Sequence, residues 1–179
     1  MLCSILGRHP DVHLADPKEP HFLAYGGAAA SFTGPGDAQT INARAVLDES
    51  EWLRLFASDR PVTGEGSVTT LYEYERAIPA IGRHCPEAKV IIVLREPVAR
   101  AHSAHGYMRA RGYETVDFRT ALEAEAERRA NGWQHIWHYA AESRFTDQVR
   151  AFTESFEPDQ LHFLYYENLQ ADPETELGR

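Results

Sequence analysis

Positive charge and cysteine are scarce in this chain. Its 179 residues carry 18 Lys and Arg against 27 Asp and Glu, a formal net charge of −9. That shortage argues against general binding of a nucleic acid polymer, because phosphate backbones are held by basic fields. It leaves room for a small anion gripped by a few local donors. Cys3 and Cys85 are too few for a disulfide framework, so a reducing cytoplasm is the expected compartment. No window approaches the ~20 apolar residues of a membrane span. Nor does a charged segment followed by an apolar core open the chain, so no secretory leader is expected. Repeats, low-complexity tracts and long linkers are also missing.

What remains is an ordinary soluble composition, 43% hydrophobic and 25% charged, long enough to bury a core without metal or disulfide. Residues 89–94 (KVIIVL) form a short β-branched run that reads as a buried parallel strand. Residues 161–166 (LHFLYY) form another, and a third strand is expected around Val62. Val98, Ala101, His105 and Met108 lie on one helical stripe, and Phe145, Val149, Phe152 and Phe156 on a second. Helices are also expected over 51–57, over 72–84 with Pro79 starting or interrupting it, and over 117–129 as a solvated element. Residues 26–36 (GGAAASFTGPG) read as a surface loop. Strands alternating with helices predict an α/β fold. The chain opens as though in the last turns of a helix over 1–8 and closes in a helix begun at Asp172-Pro173. It is therefore expected to be a single, partial domain over 1–179, incomplete at both ends.

Two segments carry candidate chemistry. In VLREPVARAHSAH, residues 93–105, Arg95 follows a strand directly, Pro97 suits the first turn of a helix and Ser103 lies within it. Ligands of open α/β sheets bind at the carboxyl ends of strands. A helix N-terminus, a guanidinium fork and a hydroxyl there form an anion site. The alternative is an Arg95 in a surface salt bridge and a Ser103 facing water. In PKEPHFL, residues 17–23, prolines hold Lys18 and Glu19 in extended backbone. Partial desolvation beside His21 and Phe22 would make Glu19 a general base; the alternative is a solvated loop carboxylate.

Taken together and in order, HPDVHLADPKEPHFL, GEGSVTTLY, AKVIIVLREPVARAHSAH and the tail SRFTDQVRAFTESFEPDQLHFLYYENLQADP resemble the sulfotransferase domain of bacterial and heparan-sulfate sulfotransferases. The resemblance runs from His9 to Pro173. It implies a P-loop-NTPase-like parallel sheet flanked by helices. It also implies transfer of a sulfuryl group from 3′-phosphoadenosine 5′-phosphosulfate (PAPS) to a hydroxyl or amine of a small-molecule or glycan acceptor. By that resemblance Arg95 and Ser103 bind the 3′-phosphate, Glu19 is the catalytic base, and Lys18 matches a lysine frequent in the bacterial branch. Glu65 and Ser67 match a Gly-Glu-x-Ser element, with Gly66 where a lysine is common and Asn168 where an aspartate is usual. The phosphate-binding loop and the C-terminal Gly-containing loop of that family are not in the sequence, so the expectation includes a weakly active or inert nucleotide-binding homologue. A nucleotide kinase, which shares the fold class, lacks support from the Lys18-Glu19 element.

His102 with His105, and His135 with His138, have helical spacing but no matching Cys or carboxylate pattern, so no metal is expected. Trp133, Trp137 and Tyr139 are expected to pack internally; otherwise they would line an acceptor pocket. Cys85 reads as a small buried hydrophobe and residues 123–129 as a solvated charged face. With the acidic balance, those aromatics favour a neutral or weakly charged acceptor over a sulfated polymer.

Overall fold

A computed structural model describes residues 2–28 and 30–178. The parts of the expected opening helix, loop and closing helix that fall on Met1, Ala29 and Arg179 lie outside the described residues. In chain order the elements are α1 (Leu2–Leu6), β1 (Val12–Leu14), α2 (Phe22–Tyr25), α3 (Ile41–Arg44), α4 (Glu49–Arg54) and β2 (Val62–Gly64). Then come α5 (Thr69–Tyr72), α6 (Tyr74–His84), β3 (Val90–Leu94), α7 (Pro97–Ala110), α8 (Phe118–Glu123) and α9 (Glu125–Ala130). The remainder is α10 (Phe145–Ser155), β4 (Leu161–Tyr165), α11 (Tyr166–Ala171) and α12 (Pro173–Leu177), with single 3₁₀ turns at His135–Trp137 and Pro158–Gln160.

The fold is α/β with parallel strands, as expected. Among the described residues the strands form two separate pairs, β1 with β2 and β3 with β4. The first, Val12–Leu14, was not anticipated: three residues are too short for a periodic signal. In the other pair the register sets Leu94 opposite Tyr165, so Arg95 and Tyr166 emerge side by side. The expectation that residues 89–94 are buried throughout needs correction. Only Ile92 is buried and Ile91 is 40% exposed, because alternate side chains leave opposite faces and only the Val90–Ile92–Leu94 face packs on the main cluster.

Burial of apolar side chains holds these layers together. Phe22, Trp52, Ala77, Ile81, Ile92 and Phe152 join α2, α4, α6, β3 and α10 in one cluster, with Phe22 stacked on Trp52 at 4.5 Å. Cys85 packs at its border, half-buried. Helix α6 runs through Pro79 rather than stopping there. Both Pro79 and Glu75, whose carbonyl loses its amide partner, are exposed, so the helix can run on without burying an unpaired carbonyl. Ala101, Met108, Trp137 and Tyr139 form a second cluster around α7. Val98 leaves the expected stripe and is 66% exposed, at the second residue of its helix.

The charged stretch 123–129 is not a uniformly solvated face. Its helix breaks at Ala124, and both Glu125 and Arg128 are buried. Glu125 accepts the N–H groups of Ala140 (2.6 Å) and Ala141 (3.0 Å). Arg128 forks onto both oxygens of Glu114, at 2.6 and 3.2 Å. Burial raises the Glu114 pKa, but Arg128, the Val116 N–H and the Tyr139 hydroxyl outweigh it and hold the carboxyl below its usual range. Arg128→Met should strand a buried carboxylate and cost about 3–5 kcal/mol in urea unfolding, with Glu114→Gln in the same chain recovering part of the loss. A cost below about 1 kcal/mol, typical of an exposed pair, would contradict this account.

Candidate active site

The loops that leave the carboxyl ends of β1 and β2 are bonded to each other. The Ala15 N–H donates to the Gly64 carbonyl (2.8 Å), and the Gly66 N–H donates to the Lys18 carbonyl (3.0 Å). The His21 N–H donates to Ser67 Oγ at 2.9 Å, and that hydroxyl in turn donates to Glu65 Oε2 at 2.8 Å. His21 takes a left-handed backbone, φ 59°, which is unusual for a residue with a Cβ. Its ring Nδ1 meets Thr69 Oγ1 at 2.9 Å, while Pro20 is fully buried and the Pro20 carbonyl accepts the Val46 N–H. Glu19 is thus held between two anchored residues. Lys18, Glu19, Glu65 and Ser67 thus lie on two loops that are bonded to each other.

Lys18 Nζ pairs with Glu19 Oε1, and Glu19 Oε2 lies 4.0 Å from His21 Nε2. The Glu19 side chain stays 31% exposed, open enough to meet a ligand. Gly66 is explained by close approach: a Cβ there would come within 2.5 Å of Cys3 Sγ and 3.8 Å of Lys18 Cγ. A lysine at this position would need the Cys3 side chain to give way.

Burial pushes the Glu65 carboxyl up to about 7, with the Ser67 hydroxyl opposing and Glu19 adding to the rise. Burial also pushes His21 down to about 4, with His135 adding to the fall. His21 is therefore neutral near pH 7, while Glu65 is close to half-protonated.

Glu19 faces a cavity of about 180 Å³. Gly36, Thr40, Arg44, Val68, Tyr107, Met108, Arg111, Tyr113, Gln134, His135 and Ile136 complete its lining. Gly36 has φ +82°, and a Cβ there would strike the Tyr113 ring at 2.5 Å. Asp37 fixes this wall. Fully buried, it accepts the Gly34 N–H (2.9 Å), the Gln134 N–H (3.0 Å), Gln134 Nε2 (2.7 Å) and Trp137 Nε1 (3.2 Å). Behind His135, Glu142 bridges its Nδ1 (3.3 Å) to Arg100 Nη1 (2.7 Å). Arg44, Arg111, His135 and Asp37 were not singled out as site residues, because they come from distant segments that share no local motif. Trp137 and Tyr139 are fully buried and do not line the cavity. A larger cavity, about 470 Å³, lies against α2 and α6 and contains none of the expected site residues.

The second expected group lies at the other strand pair. Arg95 follows β3, and its guanidinium sits 4.5 Å above the Tyr166 ring. The Glu96 N–H donates to Glu167 Oε1 at 3.1 Å, so the YENL element docks on the strand–Arg element. The expectation of free N–H groups at the start of α7 is corrected. The Glu96 carboxylate caps them, accepting from Val98 (3.0 Å) and Ala99 (2.6 Å), and those bonds hold its pKa low. Arg95 Nε is buried with no hydrogen-bond partner. Ser103 is exposed on α7, and no hydrogen bond joins it to Arg95.

The paired histidines have structural partners. His105 Nε2 meets the Val116 carbonyl at 3.0 Å, and His138 meets Tyr72 Oη and the Trp133 carbonyl, each at 3.0 Å. No cluster of three metal-ligating side chains occurs among the described residues. No helix among them is long and apolar enough to cross a membrane.

A family model described as "Sulfotransferase family" matches residues 1–179. A crystal structure of a sulfotransferase from Alicyclobacillus acidocaldarius superposes with a TM-score of 0.86 at 32% sequence identity, over 94% of this chain and 68% of the other. Comparison with curated proteins returns no match.

The Glu65 proton makes stability depend on pH. The folded state holds that proton up to about pH 7, whereas an unfolded glutamate releases it near 4.5. Between those values rising pH therefore removes stability through Glu65, while His21, low in the folded state, adds stability with rising pH up to about 6.5. Glu65→Gln should gain stability relative to wild type on going from pH 5 to pH 8, read as the shift in urea midpoint. The same offset at both pH values would exclude a buried, proton-holding Glu65.

Proposed function

This chain belongs to the sulfotransferase family, and on that premise we propose that it transfers a sulfuryl group from PAPS to the hydroxyl of a small acceptor, with Glu19 as general base. The observation that supports this reading most directly is Glu19 itself, a partly buried carboxylate held by its neighbours and opening onto a cavity. PAPS, when bound, supplies the sulfuryl group and retains, as 3′-phosphoadenosine 5′-phosphate, the electron pair of the S–O bond that breaks.

The chain's own residues then have separable tasks. Glu19 takes the acceptor's hydroxyl proton as the new O–S bond forms, which keeps positive charge from building on the attacking oxygen. Lys18 pairs with one carboxylate oxygen and leaves the other for the acceptor. Glu65 acts through Ser67, whose hydroxyl holds the His21 backbone and so fixes the loop that carries Glu19. Positioning of this kind does much of the work in group transfers with little covalent chemistry for the protein.

Arg95 fits a phosphate of the donor. Its guanidinium is pre-oriented on Tyr166, and its buried Nε lacks the partner that such donors normally have. Ser103 lies about 9 Å along α7 from Pro97 and supplies a hydroxyl on the same helix. With the N–H groups of α7 already capped by Glu96, the grip on the 3′-phosphate rests on these two side chains.

Two variants test the assignment. Arg95→Ala should weaken 3′-phosphoadenosine 5′-phosphate by about tenfold to a hundredfold and leave adenosine 5′-phosphate nearly unchanged, measured by calorimetric titration. Equal losses for both nucleotides would remove Arg95 from the 3′-phosphate. Glu19→Gln should lower kcat by about 10²–10⁴ with nucleotide affinity intact. Near-normal turnover would remove Glu19 as base, and nucleotide binding without any transfer by the wild-type chain would favour the inert homologue.

A further inference from the structure

The cavity at Glu19 runs against the charge of the whole protein. The chain is net −9, yet this cavity's lining contains Arg44 and Arg111 and no carboxylate except Glu19. Lys18 already pairs with that carboxylate, so two positive charges are left over. The buried Arg100 and Arg128, by contrast, are matched by Glu142 and Glu114. The Arg44 and Arg111 guanidinium groups have no ion-pair or hydrogen-bond partner among the described residues. The larger cavity against α2 and α6 shows the contrast, since its lining sets Asp48, Glu49 and Glu75 beside its two arginines.

Arg111 is also held in place. It follows α7 directly, and its guanidinium lies 4.3 Å over the Tyr107 ring, which occupies the planar face and leaves the N–H edge free. A fork presented in this way suits a planar or tetrahedral oxyanion. Arg44 ends α3 and adds a second cation to the same cavity.

We propose that the acceptor is a compact hydroxyl compound carrying an anionic oxygen group (carboxylate, sulfate or phosphate) held by Arg111 and Arg44 while its hydroxyl meets Glu19. This rests on the reading of Glu19 as the base. The cavity's 180 Å³ is below the roughly 300–1,000 Å³ of drug-sized sites, so it takes one ring-sized unit. The acidic remainder of the surface repels a long polyanion, whereas two local guanidinium groups attract a single anionic unit over a Debye length of about 8 Å at physiological salt. The charge of the acceptor, expected from composition to be neutral or weak, is thus set by the cavity rather than by the chain average.

Binding of D-glucuronate and of D-glucose to the purified protein, followed by ligand-observed NMR titration, tests this directly. Glucose 6-phosphate and glucose 6-sulfate serve as further arms that distinguish the kind of anion. Wild type should prefer at least one anionic sugar over glucose by about tenfold, and the R44Q/R111Q double variant should lose most of that preference. Arg111→Lys, which keeps the charge but not the fork, should fall between them, and it supplies the comparison if the double variant does not fold. Equal affinity for all four sugars, no detectable binding of any, or an undiminished preference in the variants would each overturn the proposal. The preference should persist in Glu19→Gln, because binding of the anion does not need the base. A Glu19→Gln enzyme of normal turnover that keeps the preference would therefore sink the base assignment alone. Lost turnover in Glu19→Gln beside indifferent sugar binding would sink the anion site alone.

Discussion

The hydrogen bonds between the loops after β1 and β2 are the constraint on which the candidate site depends. Two three-residue strands bring residues 15–21 and 64–69 together, and the Gly66–Lys18 and His21–Ser67 bonds lock them. The left-handed turn at His21 then follows from geometry, because the chain must leave a buried Pro20 and enter α2, whose Phe22 is stacked in the main core. Backbone conformations of this kind carry a cost and persist where the surroundings over-determine them. Here two hydroxyls, Ser67 and Thr69, hold one residue at its N–H and at its ring. Glu19, two positions earlier, inherits the rigidity.

The acidic balance has an internal component that composition hides. Asp37, Glu114, Glu125, Glu142 and Glu176 are buried, and the first four gather backbone N–H groups, amides or guanidinium groups around themselves. Such carboxylates act as interior fasteners rather than as surface charge, since a buried anion is tolerated only when donors surround it. Asp37 ties the 34–40 turn to residues 134–137 and thereby builds one wall of the cavity. The net charge therefore describes neither the cavity nor the ligand that the cavity suits.

The second strand pair carries the other half of the chemistry by the same logic. Parallel pairing in register puts Arg95 beside Tyr166 and Glu96 beside Glu167, so one guanidinium is stacked and one helix terminus is capped by protein. The cap changes the physical account of anion binding here. A helix dipole whose N–H groups already face a carboxylate contributes little to a further anion, which leaves the guanidinium and the exposed hydroxyl of Ser103.

Strong local signals were legible in the sequence because they depend on neighbours along the chain. The apolar runs at 89–94 and 161–166 contain β3 and β4, the Pro97 and Pro173 signals opened α7 and α12, and the Phe152 stripe faced the core. The ordered set of motifs identified the family, and the Pro-Lys-Glu-Pro-His segment marked the loop now seen clamped to residues 65–67. Tertiary structure decided what depends on residues far apart. It created the strand at 12–14 through pairing alone, broke the 117–129 helix so that Arg128 could reach Glu114, and raised the Glu65 pKa by burial. It also gathered Arg44, Arg111 and Glu19 around one cavity. Sequence periodicity encodes which side of an element is apolar, but charge, proton affinity and cavity lining are sums over neighbours that only folding brings within a few ångströms of one another.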